Sequence, residues 1–163
     1  MYIVFIYNMI YIDSLLSRNI QIPMADCGKN IKMILEHALQ SLEGKCITEG
    51  YLKRNSTKIV NYSSGVMKNH YVLFTVLFEG KIAVPTVQQE LTCIVETNTI
   101  AGLQCKLHLE SESPFIIFLA KDHHMDSKEF FKCNVGSIIN ISVIGSRFSI
   151  HDSNISIIAK LLE

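Results

Sequence analysis

The chain has 163 residues, enough for one domain or two small ones, and it is 48% hydrophobic, which excludes a disordered protein. Its formal net charge is zero at pH 7, whereas strong nonspecific nucleic-acid binders usually carry a basic excess that neutralises phosphate. Nine basic and six acidic side chains give residues 1–84 a charge of +3, and six basic and nine acidic give residues 85–163 a charge of −3. Any nucleic-acid contact is therefore expected to be weak and assisted by a partner.

The first twelve residues, MYIVFIYNMIYI, are apolar but too few to span a membrane, which takes about 20 helical residues. They lack the basic start and the small-residue cleavage site of a signal peptide. Because Met9 is a second possible start, residues 1–8 are predicted to be an upstream extension or a prolongation of the first strand.

Residues 10–22 alternate loosely and end at Pro23, which predicts a strand followed by a turn. A helix comes next, with Asp26 or Asn30 able to cap its start and Gly44 placed to end it with a left-handed residue. Its buried face is predicted from apolar residues at helical spacing: Ile31, Ile34, Leu35, Ala38 and Leu42.

The rest of the first half is predicted to be strands. Residues 45–52 and 57–62 are typical of short strands, 63–65 of a turn, and 70–80 of a long strand. One face of that long strand carries Val72, Phe74, Val76 and Phe78. The first half is thus predicted to be a strand, a helix and two or three antiparallel strands.

A seam near residue 84 is followed by five strand-like runs, with hairpins at 98–102 and 110–114 and one helical turn at Ser127–Phe131. Five short strands with a helical piece between the third and fourth favour an OB barrel. The fold class is therefore α+β, mostly β, with parts at residues 1–83 and 84–163.

The last two strands contribute one inward face of that barrel through Ile139, Ile141, Val143, Ile155 and Ile157. Gly145 is predicted to let the long fourth strand bend, and the sequence HDSN at 151–154 to turn the chain back and seal the sheet edge.

The five cysteines predict neither zinc nor a disulfide framework, because their number is odd and no Cys-x-x-Cys pair occurs. We expect reduced thiols in an intracellular setting, four of them packed as small hydrophobic side chains. The cysteines are Cys27, Cys46, Cys93, Cys105 and Cys133.

The candidates for nucleic-acid contact lie on the barrel, because OB folds hold single strands on strands 2 and 3 and the adjacent loops. On strand 103–108, Leu103, Cys105 and Leu107 are predicted to face inward, and the residues between them outward. The full set of RNA-contact candidates is Lys106, His108, Lys121, His123, His124 and Arg147. The alternative is that these are ordinary solvated polar side chains.

Exposed aromatic side chains are predicted to be few, with Phe118 the best candidate for base stacking and the barrel core the alternative for it. Stacking contributes about 1–3 kcal/mol per base, so affinity is expected to be modest. His123 and His124 are adjacent and would face opposite ways on a strand, so no metal site is predicted. No catalytic motif is recognisable, so we predict neither an enzyme nor a cofactor.

Several segments together resemble a known family. They are LEGKC (42–46), EGY (49–51), VLF (76–78), AGL (101–103), SPFIIFLAKDHH (113–124) and VIGSRFSIHDSNISIIAKL (143–161). From about residue 9 to the end, the chain resembles the seventh, stalk-forming subunit of multisubunit DNA-directed RNA polymerases, and most of all the version encoded by large nucleocytoplasmic DNA viruses. Departures fall at Gln88, where the family usually has glycine, and at Cys93 and Glu96, where small residues are commoner.

The resemblance implies a truncated ribonucleoprotein-like tip domain followed by the OB domain, in a non-catalytic subunit. It implies a heterodimer with the fourth-subunit homologue, docking of the tip on the polymerase core, and an OB face along the path of nascent single-stranded RNA in initiation and elongation. Docking candidates are Ser63, Ser64, Gly65, whose turn would need a positive φ, and Pro85. The setting would be the nucleus, or a viral factory or virion, with no membrane partner.

One alternative remains open: a free-standing OB-fold factor that binds single-stranded RNA alone or acts in translation initiation. Such a protein would show marked salt dependence, and the −3 charge of residues 85–163 disfavours it.

Overall fold

A computed structural model describes residues 10–28, 30–109 and 112–163, so the predictions for residues 1–8 and for Glu110 lie outside the described residues. The first part is a six-stranded sheet with one helix. Its elements are β1 (Tyr11–Pro23), α1 (Ile31–Gln40), β2 (Lys45–Ile47), β3 (Gly50–Leu52), β4 (Lys58–Tyr62), β5 (Val66–Lys68) and β6 (Tyr71–Ala83).

Strand β6 is the centre of this sheet. On one side it pairs with β1 over the whole length of both strands, from Tyr11 opposite Ala83 to Pro23 opposite Tyr71. On its other side it pairs in turn with β5, β4 and β3, and β2 completes the sheet by pairing with β3. The apolar face of β6 meets α1, and this core includes Phe74, Val76 and Phe78, as the alternation predicts.

The predicted single strand at 45–52 is wrong, because β2 and β3 form a tight hairpin there. Gly50 makes this turn possible, with φ at +139° and no room for a Cβ, which would lie 2.4 Å from Val84 Cγ2. The segment 63–65 connects strands as expected, but it leads into β5, which the sequence did not predict.

The helix is confirmed, with Leu35 and also Leu39, which was not predicted, fully buried, and with Ile31, Ile34 and Leu42 partly buried against the same core. It ends at Gln40, before Gly44. Gly44 has the expected positive φ, but its N–H donates to Leu52 O (2.7 Å), so it opens the β2–β3 hairpin instead of closing the helix. Asn30 occupies the N-cap position without a side-chain capping bond.

The second part is a closed five-stranded barrel, consistent with an OB-like barrel. The strands follow the order β7-β8-β9-β11-β10, and only the β9–β11 pair is parallel. The predicted helical turn is also present, capped by Ser127 Oγ, which accepts from the Phe130 N–H (3.2 Å). The elements are β7 (Glu90–Thr99), β8 (Gly102–Leu107), β9 (Phe115–Ala120), α2 (Lys128–Lys132), β10 (Ile138–Arg147) and β11 (Ile155–Leu161).

The barrel interior matches the predicted alternation. Its fully buried side chains include Leu103, Cys105, Leu107, Ile141, Val143, Ile155 and Ile157. A bulge interrupts the β10–β11 pairing between Val143 and Gly145, where the bend was predicted. A Cβ on Gly145 would meet nothing within 4 Å, so the extra residue Ile144 makes the bulge without a steric need for glycine.

Three cysteines are buried, not the four predicted; Cys27 and Cys133 are half-buried, and all five thiols are free. Burial raises the pKa of the Cys105 thiol to about 12 and that of Cys46 to about 11, so both stay neutral core groups at physiological pH. In the part of the chain that the structure describes, no helix has the length and apolarity to cross a membrane.

Main-chain hydrogen bonds join the two parts. The Cys46 N–H donates to Asp152 O and the His151 N–H donates to Cys46 O, each at 2.8 Å. Ile10, Tyr51 and Ala83 pack into the same hydrophobic cluster as the barrel core. The turn at 151–154 therefore reverses the chain, as predicted, and also attaches the barrel to β2.

The linker between sheet and barrel contains a strained residue. Gln88 has φ at +69°, a left-handed conformation that glycine adopts without cost, and its N–H donates to Val143 O (2.7 Å). This is the position where the family resemblance leads one to expect glycine, and the left-handed backbone here is one that suits glycine.

Gln88→Gly is expected to raise the free energy of unfolding by about 0.5–1 kcal/mol, because relief of the left-handed strain exceeds the added entropy of the unfolded chain. Urea denaturation measures the change. Gln88→Ala keeps a Cβ and should give little gain, so an equal gain from both variants would contradict the explanation.

Candidate nucleic-acid interface

The outer face of the barrel carries a row of aligned side chains across its five strands. Lys106 on β8 lies opposite Ile94 on one side and Ile116 on the other. Ile116 in turn lies opposite Ser156, and Ser156 opposite Arg147. Two cations therefore share one row, separated by three strand spacings, about 14 Å along the sheet.

A second row lies beside the first and is more apolar. Phe118 on β9 lies opposite Gln104 on β8 and Ile158 on β11. Phe118 is half-buried on the outer face and is absent from the barrel core, so the prediction of a core position is wrong and base stacking stays a prediction. With the exposed Ile116, it forms an apolar surface between Lys106 and Arg147.

Lys106 and His108 are exposed, as predicted. The Lys106 ammonium lies 3.3 Å from Glu96 Oε1, but both side chains are well exposed, and such pairs contribute little and exchange readily with water. His108 follows β8 at the end of the barrel where β9 begins. Lys106 and His108 therefore lie two residues apart near one end of the barrel, and Arg147 lies near the same end but three strands away around it.

Lys121 and His123 lie at the opposite end of the barrel. Lys121 comes directly after β9, five residues beyond Ile116, and its N–H donates to Ala101 O (2.9 Å) in the β7–β8 turn. This places it roughly 16 Å along the strand from the row that holds Lys106 and Arg147. The predicted candidates therefore form two separate groups.

The prediction for His124 is corrected, because its side chain is only 3% exposed. The Leu161 N–H donates to Nε2 (2.9 Å), so the ring proton sits on Nδ1 and bonds to Ala120 O (2.7 Å). The ring also stacks on Phe130, with centroids 4.4 Å apart. Both ring nitrogens are used inside the protein, so His124 is a structural residue.

The two histidines lie in a short 3-10 turn rather than on a strand, with His123 exposed and His124 buried. They point apart, as predicted for adjacent residues on a strand, although the element that carries them is a 3-10 turn. Among the residues that the structure describes, no three His, Cys, Asp or Glu side chains are grouped so as to hold a metal ion.

Of the docking candidates, Ser63 and Ser64 are exposed. Ser63 is held against β6, since its Oγ accepts from the Thr75 N–H and its own N–H donates to Thr75 O, both at 2.9 Å. The reason given for Gly65 was wrong, because its φ is not positive. What it requires is space: a Cβ would lie 2.3 Å from Val72 Cγ1.

The docking prediction for Pro85 is also corrected. This residue is buried where the sheet passes into the barrel, so it offers no free surface for docking. The exposed apolar side chains near Ser63 are better placed for a partner. Among them is Met67 on β5, which is 71% exposed.

No protein-family model matches the chain, and no curated protein matches it.

Sequence reasoning missed the exposed aromatic ring of Phe131, on the barrel. Phe131 is 54% exposed on α2, while its neighbour Phe130 is buried. The signal was present in the sequence, because adjacent helical residues point about 100° apart and two consecutive phenylalanines cannot both face one core. Phe131 lies at the Lys121 end of the barrel, with the Lys121 ammonium 5.9 Å from its ring centroid.

Proposed function

We propose that this chain is a non-catalytic stalk subunit of a DNA-directed RNA polymerase, of the kind encoded by large nucleocytoplasmic DNA viruses. In this proposal it forms a heterodimer with the fourth-subunit homologue and docks on the polymerase core. It contacts nascent RNA during transcription initiation and elongation, in the nucleus or in a viral factory or virion.

The observation that carries the proposal is the order of the elements. A mostly antiparallel sheet with one helix precedes an OB-like barrel, and this is the order that the resemblance implies. The hydrogen bonds between Cys46 and residues 151–152 would hold the two parts in one orientation, which suits a subunit that docks at one end and presents a binding face at the other.

The outer face of the barrel supports the RNA contact within this proposal. In this proposal, RNA follows the outside of the barrel from Lys106 on β8 to Arg147 on β10, which contact phosphates, and passes Phe118 and Ile116, which contact bases or riboses. Two cations and one half-buried aromatic ring give a modest affinity, which suits a face that receives RNA already delivered by a polymerase.

Co-expression with the fourth-subunit homologue and the polymerase core tests the proposal. The tagged chain should recover the partner in equal amount, together with the core subunits. Recovery of neither, with the chain monomeric by light scattering, would reject the stalk assignment. Tight RNA binding by the isolated chain at physiological salt would then favour the free-standing RNA-binding factor.

A charged side chain at the end of the first sheet should distinguish docking on the polymerase core from pairing with the fourth-subunit homologue. Met67→Glu is expected to lower core recovery at least about tenfold, since a charge buried in a docking surface costs several kcal/mol, while recovery of the fourth-subunit homologue is unchanged. Val135→Glu, at an equally exposed apolar residue on the barrel, is the matched control. Equal core recovery with Met67→Glu and the wild type would place docking elsewhere on the chain.

A further inference from the structure

We propose that Phe131 and Lys121 form a nucleobase-stacking subsite for single-stranded RNA at the end of the barrel remote from Arg147. The inference rests on the proposed function and adds to it a stacking position at Phe131, which neither the outer-face rows nor the sequence prediction include, beside Lys121, which the sequence already predicted as an RNA contact. Phe131 supplies the stacking surface, and Lys121 supplies a cation for the adjoining phosphate.

The first argument is that the Phe131 ring is held in a fixed orientation although it is half in water. Phe130 meets it edge-on, with centroids 5.4 Å apart and planes at 88°. Phe130 is itself stacked on His124, whose two ring nitrogens are bound to Ala120 O and the Leu161 N–H. A ring that is fixed before binding loses little conformational entropy when a base stacks on it.

The second argument is the surroundings of the ring. Lys121 holds its ammonium 5.9 Å from the Phe131 centroid, and its backbone N–H is bound to Ala101 O, so the start of its side chain is fixed beside the β7–β8 turn. A cavity of about 90 Å³ adjoins both residues and is also lined by Asn98 and Thr99. A cavity this small suits the edge of a base and not a whole nucleoside.

The third argument concerns the choice of ligand. The Thr99 hydroxyl is already bound to Gly102, whereas Asn98 lines the cavity and its carboxamide has one donor group and one acceptor. An aromatic face, a cation and an amide together suit a nucleotide, whose base is flat and whose phosphate is anionic. A purely apolar partner segment would leave the cation and the amide without partners.

The test is the affinity of the full-length chain for a fluorescein-labelled oligouridine of about a dozen nucleotides, measured by anisotropy. Phe131→Ala should weaken binding about 5- to 100-fold and Phe131→Tyr should preserve it. Lys121→Gln should lower the slope of log affinity against log salt by about one. Ile12→Ala removes an equally exposed apolar side chain from the first sheet and should change nothing.

Undetectable oligouridine binding by the wild-type chain, or equal affinity of the wild type and Phe131→Ala, overturns this subsite. Neither result affects the stalk assignment, which depends on recovery of the fourth-subunit homologue and the core. If Phe131→Ala reduces that recovery and leaves RNA affinity unchanged, the ring is a protein contact and the RNA assignment is wrong. Since Phe131 is exposed, thermal melting should show all the variants folded.

Discussion

Gly102→Ala should destabilise the protein by about 3–5 kcal/mol, since it combines backbone strain with a clash inside a strand pair. Gly102 begins β8 with φ at +152°, a conformation that side chains rarely adopt. A Cβ there would lie 2.1 Å from Leu119 O and 3.1 Å from Ala120 Cα. Because both atoms belong to the backbone of β9, only separation of the two strands relieves the contact.

Urea denaturation and the recovery of soluble protein both measure this effect, since a domain stable by about 5–15 kcal/mol would become marginal. Gly145→Ala is the matched control, because a Cβ at that glycine meets nothing within 4 Å. The control should be neutral or stabilising by up to about 1 kcal/mol. Similar unfolding midpoints for the two variants would show that the β8–β9 approach is looser than described.

His124→Ala is expected to lower the free energy of unfolding by about 2–4 kcal/mol. The Leu161 N–H would lose its acceptor inside the protein, at about 1–3 kcal/mol, and the stack on Phe130 would lose about 0.5–1.5 kcal/mol. For a chain of this size the melting temperature should fall by roughly 5–15 °C.

The control is the neighbouring histidine. His123 is exposed, so His123→Ala should change the free energy of unfolding by less than about 0.5 kcal/mol. His124→Phe keeps an aromatic ring beside Phe130 but provides no acceptor for the Leu161 N–H. It should therefore be destabilised by the lost hydrogen bond but not by a lost stack. Equal stability of the two alanine variants would refute the structural role of His124.

Much of the barrel could be predicted from the sequence because inward and outward side chains alternate along most of its strands. Leu103, Cys105 and Leu107 face inward as their spacing of two predicts, and the Asn98–Gly102 hairpin has turn residues at its ends. The helix at 31–40 was predictable for the same reason, since its apolar residues recur every three or four positions.

What the sequence could not indicate depends on distant neighbours. The β2–β3 hairpin turns at Thr48 and Glu49, which carry no turn signal of their own, and Gly50 is required because Val84 lies against it. Likewise, the sequence predicts an exposed polar side chain at His124. Only the fold shows that the Leu161 N–H, 37 residues away, donates to its ring.

In the candidate site, too, some features follow from local sequence patterns and others depend on distant neighbours. Alternation along β8 correctly placed Lys106 and His108 outside, but the separation of Lys121 from Arg147 follows from which strand ends meet in the closed barrel. No local pattern carries that information. Phe131 was the exception, since a pair of phenylalanines in a helix is itself a local signal.

The central position of β6 has a consequence for how this protein is made. Strand β1 is synthesised before the other described strands of its sheet, yet the strand with which it pairs, β6, begins at Tyr71, after all of them. Strands β4 and β5 pair with β6 alone and must also wait for it. Apart from the local β2–β3 hairpin, the sheet therefore assembles only after β6 is made, and until then β1 keeps an unpaired edge that is open to chaperones or to another nascent chain.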